Sequence, residues 1–129
     1  YIDYGINSKV IEYSDQIEDL FNWSTLVVCR SGSTSLSELS AIGRACILIP
    51  YPYATDDHQF KNAEYLSNNS AAITLKQSDE FIENFVTTIN LLLNNESRLY
   101  ALAQNIKTIF PQNGKDIIMK TNTQYFLNK

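Results

Sequence analysis

Arg30 ends an apolar run, Leu26-Val27-Val28-Cys29, and is followed by the small residues Ser31-Gly32-Ser33-Thr34-Ser35 before Leu36-Ser37-Glu38-Leu39. A buried strand that ends in a cation and turns through small residues into a helix is suited to holding an anion. The first N–H groups of such a helix have no intrahelical partners, the helix dipole favours negative charge beside them, and Arg30 adds a full positive charge. Gly32 and Ser33 lack the bulk that would keep a diphosphate at a distance. Glu38 has two readings. Ser35-Leu36-Ser37-Glu38 has the spacing of a capping box, in which the carboxylate turns back to the helix start. It is also an acidic group able to accept from two neighbouring ribose hydroxyls, as in dinucleotide folds.

A second polar stretch follows Pro50: Tyr51-Pro52-Tyr53-Ala54-Thr55-Asp56-Asp57-His58-Gln59-Phe60-Lys61-Asn62-Ala63. The prolines stiffen the loop, Asp56 or Asp57 can cap a helix, and His58, Gln59 and Asn62 then fall in its first turns. Gln59 and Asn62 are spaced to share a face, and neutral amides offer sugar hydroxyls both a donor and an acceptor. A capped surface helix with an ordinary histidine accounts for the same residues. His58 has no matched Cys or His partners at metal-ligand spacing, so no metal is expected. Ser31, Ser33 and Ser35 stand in no nucleophile-elbow motif, so no catalytic residue is assigned.

The elements that must position these residues alternate. β-branched runs at Lys9–Glu12, Leu26–Cys29, Ala45–Ile49 and Ala72–Leu75 predict strands. Amphipathic stretches at Gln16–Asn22, Thr34–Ile42 and Asp57–Leu66 predict helices, giving the order βαβαβαβ. Ser78 is the expected N-cap of a helix over Asp79–Leu93, and further helices are expected over Ser97–Phe110 and Lys115–Leu127, separated by Pro111 and Gly114. The fold class expected is therefore α/β: a Rossmann-like parallel sheet with flanking helices and a helical C-terminal third, with ligands at the carboxyl ends of the strands.

With 129 residues, 44% of them apolar, the chain suffices for one core and one domain. A net charge of −4 argues against a general affinity for nucleic acid or anionic lipid, so any anion must be held locally. Neither a membrane span nor a signal peptide is read, and a cytoplasmic location is expected. Cys29 and Cys46 lie within apolar runs and read as buried, reduced thiols. The opening residues carry no glycine-rich turn of the kind that usually begins a nucleotide-binding unit, so further chain is expected upstream.

The stretch Cys29–Leu39, then Gly43, Pro50 and Asp56–Ala63, together resemble the C-terminal domain of the MurG family of GT-B glycosyltransferases. The resemblance runs from about Val10 through the final helices. It implies the partial donor-binding domain of an enzyme that transfers N-acetylglucosamine from UDP-N-acetylglucosamine to lipid I. The product is lipid II for peptidoglycan, and the enzyme lies on the cytoplasmic face of the bacterial inner membrane. It further implies that the backbone around Ser14 meets the uracil and Arg30 lies near the diphosphate. Gly32 and Ser33 would face the diphosphate and sugar, Glu38 the ribose hydroxyls, and Gln59 and Asn62 the sugar ring, with His58 at a neighbouring polar position. No cofactor is implied. The glycine-rich donor loop and the N-terminal acceptor domain, which would meet lipid I, have no counterpart here, so the chain alone is expected to be inactive. Ser33 stands where Ala is common in the family, and Arg44-Ala45 replaces a frequent pair ending in Pro. Two alternatives share these motifs: a non-catalytic sugar-nucleotide-binding module, and a related GT-B enzyme with another acceptor.

Overall fold

The computed structural model describes residues 5–53 and 57–109. Eight elements follow one another: α1 (Ile17–Trp23), β1 (Leu26–Cys29), α2 (Ser33–Ile42), β2 (Ala45–Leu48), α3 (His58–Asn68), β3 (Ile73–Thr74), α4 (Phe81–Leu93) and α5 (Glu96–Ile109). The strands form one parallel sheet in the order β1-β2-β3, with Leu26 opposite Ala45 and Ile47 opposite Ile73. This is the Rossmann-like arrangement expected from the alternation of periods.

Burial follows the two-residue period of the strands. Cys46 and Leu48 face a core with Val27 of β1 and with Phe21, Leu36, Leu39, Ala63 and Leu66, supplied by α1, α2 and α3. Ala45 and Ile47 point the other way, onto Leu92, Leu99 and Leu102 of α4 and α5. All four residues of β2 are buried, as a central parallel strand requires, which explains why ACIL reads as a continuous apolar run. In the described sheet β1 lies at an edge, and its Val28 is 40% exposed.

The ends of the helices are closed by specific groups. Gly43 closes α2 in the left-handed region at φ 75°, and its N–H donates to the carbonyl of Leu39. A Cβ there would stand 2.1 Å from the Lys107 side chain, so both the backbone angle and the close approach favour glycine. Arg44 closes α1: Nε donates to the carbonyl of Phe21 and Nη2 to that of Asn22. Ser40 Oγ donates to the carbonyl of Ile106 at 2.7 Å, a buried bond that ties α2 to α5.

Four expectations are corrected. Lys9–Glu12 is not a strand: the segment is irregular, with Val10 82% and Ile11 43% exposed, and without a neighbouring strand a short β-branched run has nothing to pair with. The described order therefore begins with a helix. Ser78 does not cap α4, which starts at Phe81 with Glu80 as N-cap, after a turn in which Phe81 N–H donates to the Ser78 carbonyl. The capping box at Ser35 is not formed, because α2 begins two residues earlier, at Ser33, with Gly32 as its N-cap. Asp57 occupies the N-cap of α3 in a left-handed conformation at φ 54° and makes no side-chain capping bond. Asp56 and the helix expected over Lys115–Leu127 lie outside the described residues. Among those described, no helix is long and apolar enough to cross a membrane.

Candidate functional site

The carboxyl ends of β1 and β2 bring the two polar loops side by side. Ser31, fully buried, donates from Oγ to the backbone carbonyl of Gln59 at 2.7 Å, and Asn62 Nδ2 donates to the carbonyl of Ser31 at 3.1 Å. The first turn of α3 is thus fastened to the turn before α2 by two reciprocal bonds. Gln59 Oε1 accepts from the N–H of Tyr51 at 3.0 Å, which fixes the start of the second loop. Each amide is half used: what Gln59 can still offer a ligand is its Nε2 donor, and what Asn62 can offer is its Oδ1 acceptor.

At α2 the first intrahelical bond runs from the N–H of Leu36 to the carbonyl of Gly32. The N–H groups of Ser33, Thr34 and Ser35 precede it and have no carbonyl one turn back to receive them. Gly32 has no side chain with which to cap them, and nothing lies within 4 Å of where its Cβ would be. Its φ of −70° is open to any residue, so the glycine is explained by the space it leaves rather than by its backbone. Glu38 lies on the same face as Thr34 and Ser35, one turn further on, and helical side chains lean toward the N-terminus. It is half-buried and, among the described residues, its carboxylate has neither a hydrogen bond nor an ion pair.

Arg30 is anchored to the protein along one side of its guanidinium. Its Nη1 donates to the carbonyls of Ile49 at 3.0 Å and Pro50 at 3.1 Å and to Oε1 of Gln77 at 3.0 Å. The guanidinium carbon lies 5.4 Å from the ring centroid of Tyr51. One edge of the cation is therefore committed to the protein, while Nε and Nη2 can still meet an anion. Beside it opens a cleft of about 300 Å³ lined by Pro50, Tyr51, Pro52, Asp57, Phe60, Lys76 and Gln77. Lys76 Nζ stands 4.3 Å from the centroid of Phe60 in that wall.

The structure thus brings Arg30, Gly32, Ser33, Glu38, Gln59 and Asn62 to one edge of the sheet. His58, the exposed first residue of α3, is beside them. Ser14 is not tied to them by a hydrogen bond among the described residues: it precedes α1, and its Oγ accepts from the N–H of Gln16 at 3.2 Å. Sequence reasoning passed over Ser31, Tyr51 and Gln77. Ser31 read only as a small turn residue, and Gln77 follows β3 at the same sheet edge, where the topology alone makes every loop a candidate. Burial raises the thiols of Cys29 to about 11 and Cys46 to about 12, so both are neutral at ordinary pH; Cys46 is buried as expected, and Cys29 only partly. Among the described residues no cluster of His, Cys, Asp or Glu could hold a metal ion.

Comparison with known proteins gives the same reading of the fold and the family. A transferase of Geobacter metallireducens is 36% identical over 104 residues, which is 81% of this chain and 29% of the relative. One of Methylococcus capsulatus is 32% identical over 120 residues, covering 93% of this chain and 34% of the relative. Both bear the name UDP-N-acetylglucosamine--N-acetylmuramyl-(pentapeptide) pyrophosphoryl-undecaprenol N-acetylglucosamine transferase. The chain therefore spans about a third of the length of these relatives. The crystal structure of Acinetobacter baumannii MurG superimposes with a TM-score of 0.76 over 90% of this chain and 33% of that one, at 24% identity, and shares the fold. The profile of the glycosyltransferase family 28 C-terminal domain matches residues 1–118, and the chain belongs to that family.

Proposed function

We propose that this chain is the donor-binding part of a MurG-type N-acetylglucosaminyltransferase and that it holds UDP-N-acetylglucosamine at the carboxyl edge of its sheet. The observation that carries the reading is the pairing of an uncapped α2 N-terminus with the partnerless carboxylate of Glu38 on the same face. An anion at the helix start and a diol one turn along match a nucleoside diphosphate in charge and in spacing. The amides of Ser33, Thr34 and Ser35, with Nε and Nη2 of Arg30, would receive the diphosphate across the space above Gly32. Glu38 would accept from the ribose hydroxyls, and the backbone near Ser14 would meet the uracil. Gln59 Nε2 and Asn62 Oδ1 would read the sugar hydroxyls, with His58 at the rim.

In the whole enzyme the reaction would be an inverting displacement at the anomeric carbon. A base elsewhere in the protein would take the proton of the acceptor hydroxyl as the bond to the diphosphate breaks. The fixed donors of α2 and Arg30 stabilise the charge that develops on the leaving diphosphate, which is this chain's share of the catalysis. The acceptor, lipid I, would be met by the rest of the protein on the cytoplasmic membrane face, giving lipid II for the cell wall.

Calorimetric titration of UDP-N-acetylglucosamine and UDP-glucose into the chain and its Glu38→Gln variant tests the assignment. Selective binding of the first ligand, weakened about tenfold or more by the substitution at unchanged melting temperature, is expected from the loss of charge-assisted bonds to a diol. A folded chain that binds neither ligand, or a variant that binds as well as the parent, refutes it.

A further inference from the structure

Arg30 carries its charge on a long side chain, and a guanidinium free to rotate would be a poor fixed donor. Its surroundings remove that freedom. The carbonyls of Ile49 and Pro50 and the Oε1 of Gln77 all lie within 3.1 Å of the same Nη1, although that nitrogen carries only two protons. Tyr51 supports the cation from its ring side. Two of the three acceptors belong to the backbone leaving β2. Only Gln77, from the segment after β3 and 47 residues away, contributes a side chain.

We infer that Gln77 is a positioning residue for Arg30: by holding Nη1 it turns Nε and Nη2 toward the α2 N-terminus, where they act on the diphosphate of a nucleotide. This rests on the donor-site reading for the ligand, but the orientation itself is a property of the free chain. A neutral acceptor suits the role. An amide oxygen fixes the guanidinium without cancelling its charge, whereas a carboxylate at the same place would hold it equally well and neutralise it. Gln77 also lines the neighbouring cleft with Lys76, so its removal widens that cleft without opening the core, and the residue is exposed.

The test combines nitrogen-15 NMR of the Arg30 side chain with calorimetry of UDP and of uridine on the full chain, Gln77→Ala and Gln77→Glu. In the free parent chain the Arg30 guanidinium protons are expected to be resolved by hindered rotation, and in Gln77→Ala to exchange measurably faster, with the two backbone carbonyls still accepting from Nη1. UDP is expected to bind roughly tenfold more weakly to Gln77→Ala, and uridine within about twofold of the parent, since one charge-assisted contact to phosphate is misaligned. Gln77→Glu should keep the resolved protons yet also lose UDP affinity, which separates orientation from charge. Unchanged Arg30 signals in Gln77→Ala overturn the inference, as does unchanged UDP affinity, or an equal loss for UDP and uridine. A parent chain that binds no UDP while its Arg30 signals still depend on Gln77 overturns the donor reading and, with it, the diphosphate half of the inference.

Discussion

At the amino ends of the strands, Ser40, Arg44 and Gly43 all serve helix ends: Ser40 holds a carbonyl of α5, Arg44 two carbonyls of α1, and Gly43 closes α2 beneath Lys107. At the carboxyl ends the polar groups are used only in part. Gln59 and Asn62 each apply one half of an amide to fasten the loops, Arg30 applies one nitrogen, and among the described residues the first amides of α2 and the carboxylate of Glu38 have no partner. Both edges are built from similar residue types. The difference is in leftover hydrogen-bonding capacity, which distinguishes one edge as scaffold and the other as the candidate site.

The comparison is broken most severely by giving the site its own cap. Gly32→Asp would place a carboxylate over the amides of Ser33, Thr34 and Ser35, as the commonest N-caps do, and occupy the place of the diphosphate. Binding of UDP-N-acetylglucosamine should weaken by about 2–3 kcal/mol or more, while stability stays level or rises by a few tenths. Calorimetry and thermal melting on the same sample check both signs, and a variant that binds normally would show that the diphosphate lies elsewhere. At the opposite edge the pattern should invert. Ser40→Ala removes a buried donor from the Ile106 carbonyl and should cost about 1 kcal/mol in urea unfolding with donor affinity unchanged.

A further prediction concerns the core between the edges. Both thiols titrate higher in the folded chain than their ordinary value of 9.0, because burial disfavours the thiolate. A raised acid makes its full contribution to stability below the unfolded value, and loses it as the pH rises through the folded one. The urea midpoint should therefore fall from about pH 9 toward 11–12, and less steeply in Cys46→Ala, measured relative to each protein's own midpoint at pH 8. Equal slopes for parent and variant would remove Cys46 from the account.

The central sheet and the site's two loops were legible because they depend on local pattern. Leu26–Cys29 and Ala45–Leu48 are apolar runs of strand length bounded by turn residues, and the small residues after Arg30 stand where a parallel strand must turn. The misreadings came from groups whose state is decided across space. Val10 and Ile11 have strand-forming side chains but no described strand to pair with. Ser35 and Glu38 have capping-box spacing, but the carbonyl of Gly32 starts the helix first. The clamp on Arg30 draws on Gln77 from far along the chain, and no spacing rule links them. The family was legible in the motifs, while the half-used state of each amide requires coordinates.

Val28 at the outer strand has a practical side. A short strand with one apolar side chain partly in solvent and an open row of backbone donors and acceptors is a template for a second chain. Two copies of the chain are expected to pair edge to edge there in concentrated solution, and sedimentation showing a clean monomer at high concentration would count against it. A lysine in place of Val28 would protect that edge by charge without touching the loops at the carboxyl ends of the strands.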